Sequence, residues 1–87
     1  MDTIFLPLIA QDDFESFLRL KISGFPADYA TVRQRHLNRL AHYGSTYRVV
    51  EVHVDPDEFS RFVSDRAKAN DIGSLLAFAE AKGKGEL

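Results

Sequence analysis

The sequence predicts an α+β fold of order β-α-α-β-α-α, with four helices packed on a small two-stranded sheet. Three observations predict it. Two short apolar runs, Ile4–Ile9 and Tyr47–Val54, have the length and residue types of strands. Each is followed by an acidic helix-start signal, Asp12-Asp13-Phe14-Glu15 after the first and Asp55-Pro56-Asp57-Glu58 after the second. Two further stretches, 28–42 and 74–82, carry apolar residues at helical spacing.

In the first strand, Pro7 would break a helix and cannot donate to a ladder, so the strand is expected at a sheet edge. Asp12 is the expected cap of the first helix, which places Phe14, Phe17, Leu18 and Ile22 on one face and stops at Gly24. Asp28 is placed to cap a second helix through about His42, with Tyr29, Val32, Leu37, Leu40 and Tyr43 on its inner face. The second strand alternates: Val50, Val52 and Val54 point one way, and Tyr47, Val49, Glu51 and His53 the other. Asp55 caps the third helix with Pro56 at its first position, and Phe59, Phe62, Val63 and Ala67 form the inner stripe until Asn70–Gly73 breaks it. Leu75, Phe78 and Ala79 face inward from a fourth helix, Ser74–Lys82.

The two strand–helix units echo one another. Asp12-Asp13-Phe14-Glu15-Ser16-Phe17-Leu18 aligns with Asp57-Glu58-Phe59-Ser60-Arg61-Phe62-Val63 at an offset of 45 residues, which also aligns Ile4 with Val49 and Ile9 with Val54. Acidic caps and phenylalanines three apart are common helix grammar, so convergence explains the echo as well as duplication does.

The chain has 87 residues, 45% hydrophobic and 28% charged, which fits one domain, 1–87, with an ordered core of about 3–82 and a loose tail 83–87. Eleven basic against thirteen acidic residues leave a net charge of -2, which argues against a surface built wholly for nucleic acid. The absence of cysteine removes disulfides, thiolate metal sites and thiol nucleophiles. Met1-Asp2 lacks the basic start of a signal peptide, and the apolar run that follows is far shorter than the ~20 residues of a membrane span. The expectation is a cytoplasmic protein without a membrane segment. A chain this small, without disulfide or metal, is reinforced most simply by pairing, and a two-stranded sheet has two free edges. A homodimer, its sheet open to extension across the subunits, is the expected assembly, and a protein partner fits the same edges.

No complete catalytic constellation is present. His36 and His42, six apart on a helix, do not share a face, and no metal or cofactor motif accompanies them. The weak acid/base candidates are Glu51 and His53, alternating on one strand face. Arg33 and His36 project into or beside the apolar face of the second helix, and with Tyr29 and Tyr43 they would line a pocket for a carboxylate or phosphate. An ion pair or a snorkelling Arg33 stem is the structural alternative. Segment 29–50 holds four arginines and no acid. Arg35, Arg39 and Arg48 there could track the phosphates of a nucleic acid, with tyrosines to stack on bases, although the apolar Ser74–Glu80 helix lacks the donors of a DNA reader. The leading functional expectation is a non-enzymatic, dimeric interaction or regulatory module. The alternatives are an anion binder using Arg33 and His36, or a nucleic-acid binder using segment 29–50.

Overall fold

The computed structural model describes residues 2–87, and its organising feature is a parallel pair of strands, β1 (Thr3–Leu8) and β2 (Arg48–His53). A parallel pair cannot be joined by a hairpin, so the chain crosses over through two helices, α1 (Phe14–Arg19) and α2 (Tyr29–Tyr43). After β2 come α3 (Pro56–Asp65) and α4 (Ile72–Gly83), which completes the order β-α-α-β-α-α of an α+β protein. The register pairs Ile4 with Val49 and Leu8 with His53. That is the offset of the sequence echo, so the two strand–helix units leave the sheet side by side.

The carbonyls of Asp2 and Leu8 accept from the amides of Arg48 and Val54. The even residues of β1 therefore turn their backbone groups toward β2, and Thr3, Phe5 and Pro7 turn theirs outward. The missing N–H of Pro7 falls on the outer edge, where it costs no ladder bond. On one face of the sheet, Glu51 bonds to His36 of α2. On the other, the Phe5 ring lies so close to Gly83 of α4 that a Cβ there would overlap it. The sheet is thus covered on both faces, as parallel strands require.

The core lies where α1, α3 and α4 meet the sheet. Phe17, Val54, Phe59 and Phe78 are fully enclosed, with Ile9, Ile22, Phe62 and Leu75 around them. Phe78 stacks edge-on against both Phe59 and Phe62, with ring centroids 5.9 and 5.2 Å apart. Each buried phenylalanine contributes about 1.5–3 kcal/mol from burial alone, so these rings carry much of the stability of a domain this size.

Several helix limits differ from expectation, each for a local reason. Asp12 does not cap α1; the helix is entered through a 3-10 turn, Gln11–Asp13, without a side-chain cap. At the position equivalent to Asp55 this unit has Ala10, which offers no acceptor. The helix ends at Arg19, because Asn70 donates to the carbonyls of Leu20 and Lys21 while Lys21 takes a left-handed φ of 56°. Ala67 is exposed with φ 49°, beyond the end of α3 rather than on its buried stripe. Asp71 caps α4 through the Ser74 amide, so the helix starts at Ile72 and runs to Gly83. Leu37 sits outside the buried face of α2, 47% exposed. The inward positions are Val32, His36, Arg39, Leu40 and Tyr43, and Leu37 is rotated away from that row.

The Asp55 cap gives a first prediction. Its carboxylate accepts from the amides of Asp57 and Glu58, and chiefly the Glu58 bond holds its pKa below the ordinary value. A depressed folded-state pKa means the stabilisation is present above the unfolded value of ~3.9 and lost as pH falls through the folded one. In urea titrations at pH 7, Asp55→Ala should cost about 1 kcal/mol. The gap to the parent should narrow steadily as the titrations are repeated below pH 4.

Candidate functional site

The site follows from how α2 is held. Asp28 caps it by accepting from the Thr31 amide and hydroxyl, and the Tyr29 hydroxyl donates to the Ile9 carbonyl at 3.1 Å. These contacts fix the start of α2 beside the end of β1. Yet no residue of α2 is fully buried. Its inner face stands off the body, and the space beneath is a cleft of about 70 Å³.

The floor is apolar: Pro7 and Leu8 of β1 and Ile9 just after it, Pro26 in the connection, Val32 on α2, and Ile72 and Leu75 on α4. Arg33, Arg35, Arg39 and His36 complete the wall, and no acidic residue lines it. Among the described residues none of these arginines pairs with a carboxylate; Arg35 donates to the Gly24 carbonyl at 3.2 Å. Three arginines thus line one cleft without a carboxylate partner among the described residues, and a guanidinium fork is shaped to hold a carboxylate or phosphate in bidentate fashion.

His36 is the enclosed member, its side chain 13% exposed. Its Nε2 lies 3.0 Å from Glu51 Oε1. An ionised carboxylate only accepts, so Nε2 carries the proton and Nδ1 holds a lone pair in the neutral ring. That Nδ1 is buried with no partner. It is an unsatisfied acceptor on a residue of the cleft wall, which a hydrogen-bond donor on a ligand would satisfy.

The structure brings together three of the four residues expected to bind an anion: Arg33, His36 and Tyr29. Tyr43 lies at the other end of α2, edge-on against His42 and Tyr47 and lining a separate groove. Glu51 and His53 share a strand face but take different partners: Glu51 meets His36, and His53 Nε2 lies 3.3 Å from Asp13 Oδ2. Arg35 and Arg39, expected to track phosphates along a nucleic acid, line the cleft, and Arg48 opens β2 opposite Thr3. Among the described residues no group of three or more His, Asp or Glu side chains is arranged to hold a metal ion. No helix of the described residues is long and apolar enough to cross a membrane.

Sequence reasoning missed Leu8, Pro26, Ile72 and Leu75, which form the cleft only when β1, the Phe25-Pro26 connection and α4 converge. It also missed Asp13 as the partner of His53. Neither has a local signal, because each depends on segments distant in sequence. No protein-family model matches the chain, and no curated protein and no solved structure was found to match it.

The His36–Glu51 bond joins α2 to the sheet across a half-open boundary, with Glu51 43% exposed. A double-mutant cycle with His36→Ala and Glu51→Ala, read by denaturant unfolding at pH 7, should give a favourable coupling of roughly 0.5–1 kcal/mol. A coupling indistinguishable from zero would mean that the bond does not hold α2 in place.

Proposed function

We propose that this protein binds a small organic anion, a carboxylate or phosphate on a short apolar body, in the cleft beneath α2. One observation carries the reading: Arg33, Arg35, Arg39 and His36 stand around an apolar floor that contains no acidic residue. The volume of about 70 Å³ suits one anionic group with a few carbons. Arg33 and Arg39 supply charge and paired N–H groups, Val32 and Leu75 take the apolar portion, and the His36 Nδ1 lone pair accepts from a hydroxyl group where the ligand carries one. The Glu51 carboxylate fixes the His36 ring, so the wall keeps one orientation as a ligand arrives. In this reading the protein is a non-enzymatic regulatory module of the cytoplasm, with ligand occupancy setting how firmly α2 is docked.

A second reading rests on a different observation. The backbone groups of Val49 and Glu51 face away from β1, and among the described residues they have no hydrogen-bond partner. A second copy pairing along this edge would form a four-stranded sheet with twofold symmetry. Sedimentation equilibrium at 100 μM should then return twice the 9.8 kDa chain mass; a monomer at that concentration removes the reading.

The anion reading is tested by thermal unfolding with phosphate, butyrate or benzoate, and with butyramide and benzamide as neutral controls. An anion at about ten times its Kd stabilises by about 1.4 kcal/mol, a rise of ~5–10 °C for a domain of this size. The amides should give no rise, and Arg33→Gln with Arg39→Gln should abolish it while leaving the unliganded Tm within about 2 °C. Equal responses to acid and amide would reject the anion site.

A further inference from the structure

Beside the cleft lies a second space. It is a groove of about 390 Å³ lined by Thr3 and Phe5 of β1, Tyr43 of α2, and Leu76 and Ala77 of α4, and Arg39 borders both. Together they follow the outer edge of β1 from Thr3 to Ile9, with α2 as one wall and α4 as the other. We propose that this trough takes an extended acidic peptide of a partner protein, which adds to β1 as a third strand and lays its carboxylate among Arg33, Arg35 and Arg39. The proposal rests on the anion reading and states what the anion is attached to.

Along β1 the trough also offers unpaired backbone groups. The N–H groups of Thr3 and Phe5 and the carbonyls of Thr3, Phe5 and Pro7 turn toward it, and among the described residues none has a hydrogen-bond partner. An acyl chain lying there would cover these groups without bonding them, at a cost for each. An extended backbone bonds them in register, which is how a peptide adds to a sheet edge. Pro7 offers only an acceptor, so the ladder is short and side-chain contacts must supply the remaining affinity. At ~3.3 Å per residue the edge from Thr3 to Ile9 accommodates roughly six residues. The charge is one-sided: the Ile9 end carries the arginines, whereas at the Thr3 end the groove is bordered by Glu80, already paired with Lys84. The partner segment is therefore acidic at the end beside Ile9 and uncharged and β-branched along the rest.

Fluorescein-labelled peptides of alternating valine and threonine, with two glutamates at either end, test this by anisotropy and by amide chemical shifts of the 15N-labelled protein. One of the two acidic peptides should bind at least ten times tighter than its lysine counterpart and should shift the Thr3 and Phe5 amides. N-methylation at alternate residues should weaken it at least fivefold, the scale of a lost backbone bond. Thr3→Pro removes one outward N–H and leaves the pairing with β2 intact; it should weaken the peptide by about fivefold and leave phosphate binding unchanged. Should that variant not fold, the N-methylated peptides decide the matter on the unaltered protein. Equal binding of methylated and unmethylated peptides, or shifts confined to α2, would overturn strand addition while the anion site stands. Peptide binding indifferent to both glutamate-to-lysine exchange and Arg39→Gln would overturn both.

Discussion

The parallel pairing of β1 with β2 is the constraint on which the remaining structure depends. Two strands hold few hydrogen bonds and have two faces to cover, so such a sheet is marginal without helices on both sides. Parallel direction also forces the crossover, and the crossover must contain enough chain to return to the starting end of the sheet. Here that chain is α1 and α2. One of them, α1, contributes Phe17 to the core, whereas α2 has no fully buried residue and meets the sheet through His36 on Glu51.

That division of labour explains why the cleft is where it is. The phenylalanine cluster is satisfied by α1, α3, α4 and one face of the sheet, and the six residues of each strand are too short to carry a second core of similar size. The inner face of α2 accordingly mixes Val32 and Leu40 with His36 and Arg39 and touches the body through few groups. Val32 packs against the core and the Tyr29 ring lies edge-on against Phe14, and the polar attachments are the Tyr29 hydroxyl on Ile9 and His36 on Glu51. A helix attached in this way leaves space beneath it, and the residues that line the space are free to be chosen for a ligand instead of for packing.

The elements themselves were legible because their signals are local. Acidic caps, the alternation of Tyr47–Val54 and the position of Pro7 give the order β-α-α-β-α-α directly, and the offset between the two acidic segments coincides with the strand register. Failures cluster where a distant residue intervenes. Asn70 truncates α1 by taking the carbonyls of Leu20 and Lys21, and nothing near residue 20 announces it. Leu37 was assigned inward because leucine is apolar; the row that faces the sheet is set by Tyr29 and His36, whose partners belong to other segments. The site was half legible on the same grounds. Arg33, His36 and Tyr29 share one helix, so their proximity follows from periodicity, but the apolar floor is assembled from three separate stretches of chain.

A nearly neutral total conceals a spatial sorting of charge. Seven of the thirteen acidic residues are committed to helix ends or to one particular base: Asp28, Asp55 and Asp71 cap helices, Glu58 and Glu80 meet Lys82 and Lys84, Asp13 meets His53, and Glu51 meets His36. Most of these assignments serve helix ends and the α4 boundary. Only Glu51 reaches the middle of α2, and there it meets His36 and none of the arginines. Lysines fill the last turns of α4, and arginine, whose planar fork suits carboxylates and phosphates, fills the wall of the cleft. These acids thus stabilise the fold, and the arginines without a carboxylate partner among the described residues stand beside an apolar space beneath α2. A protein with a net charge of -2 can in this way present a locally positive surface without being basic overall.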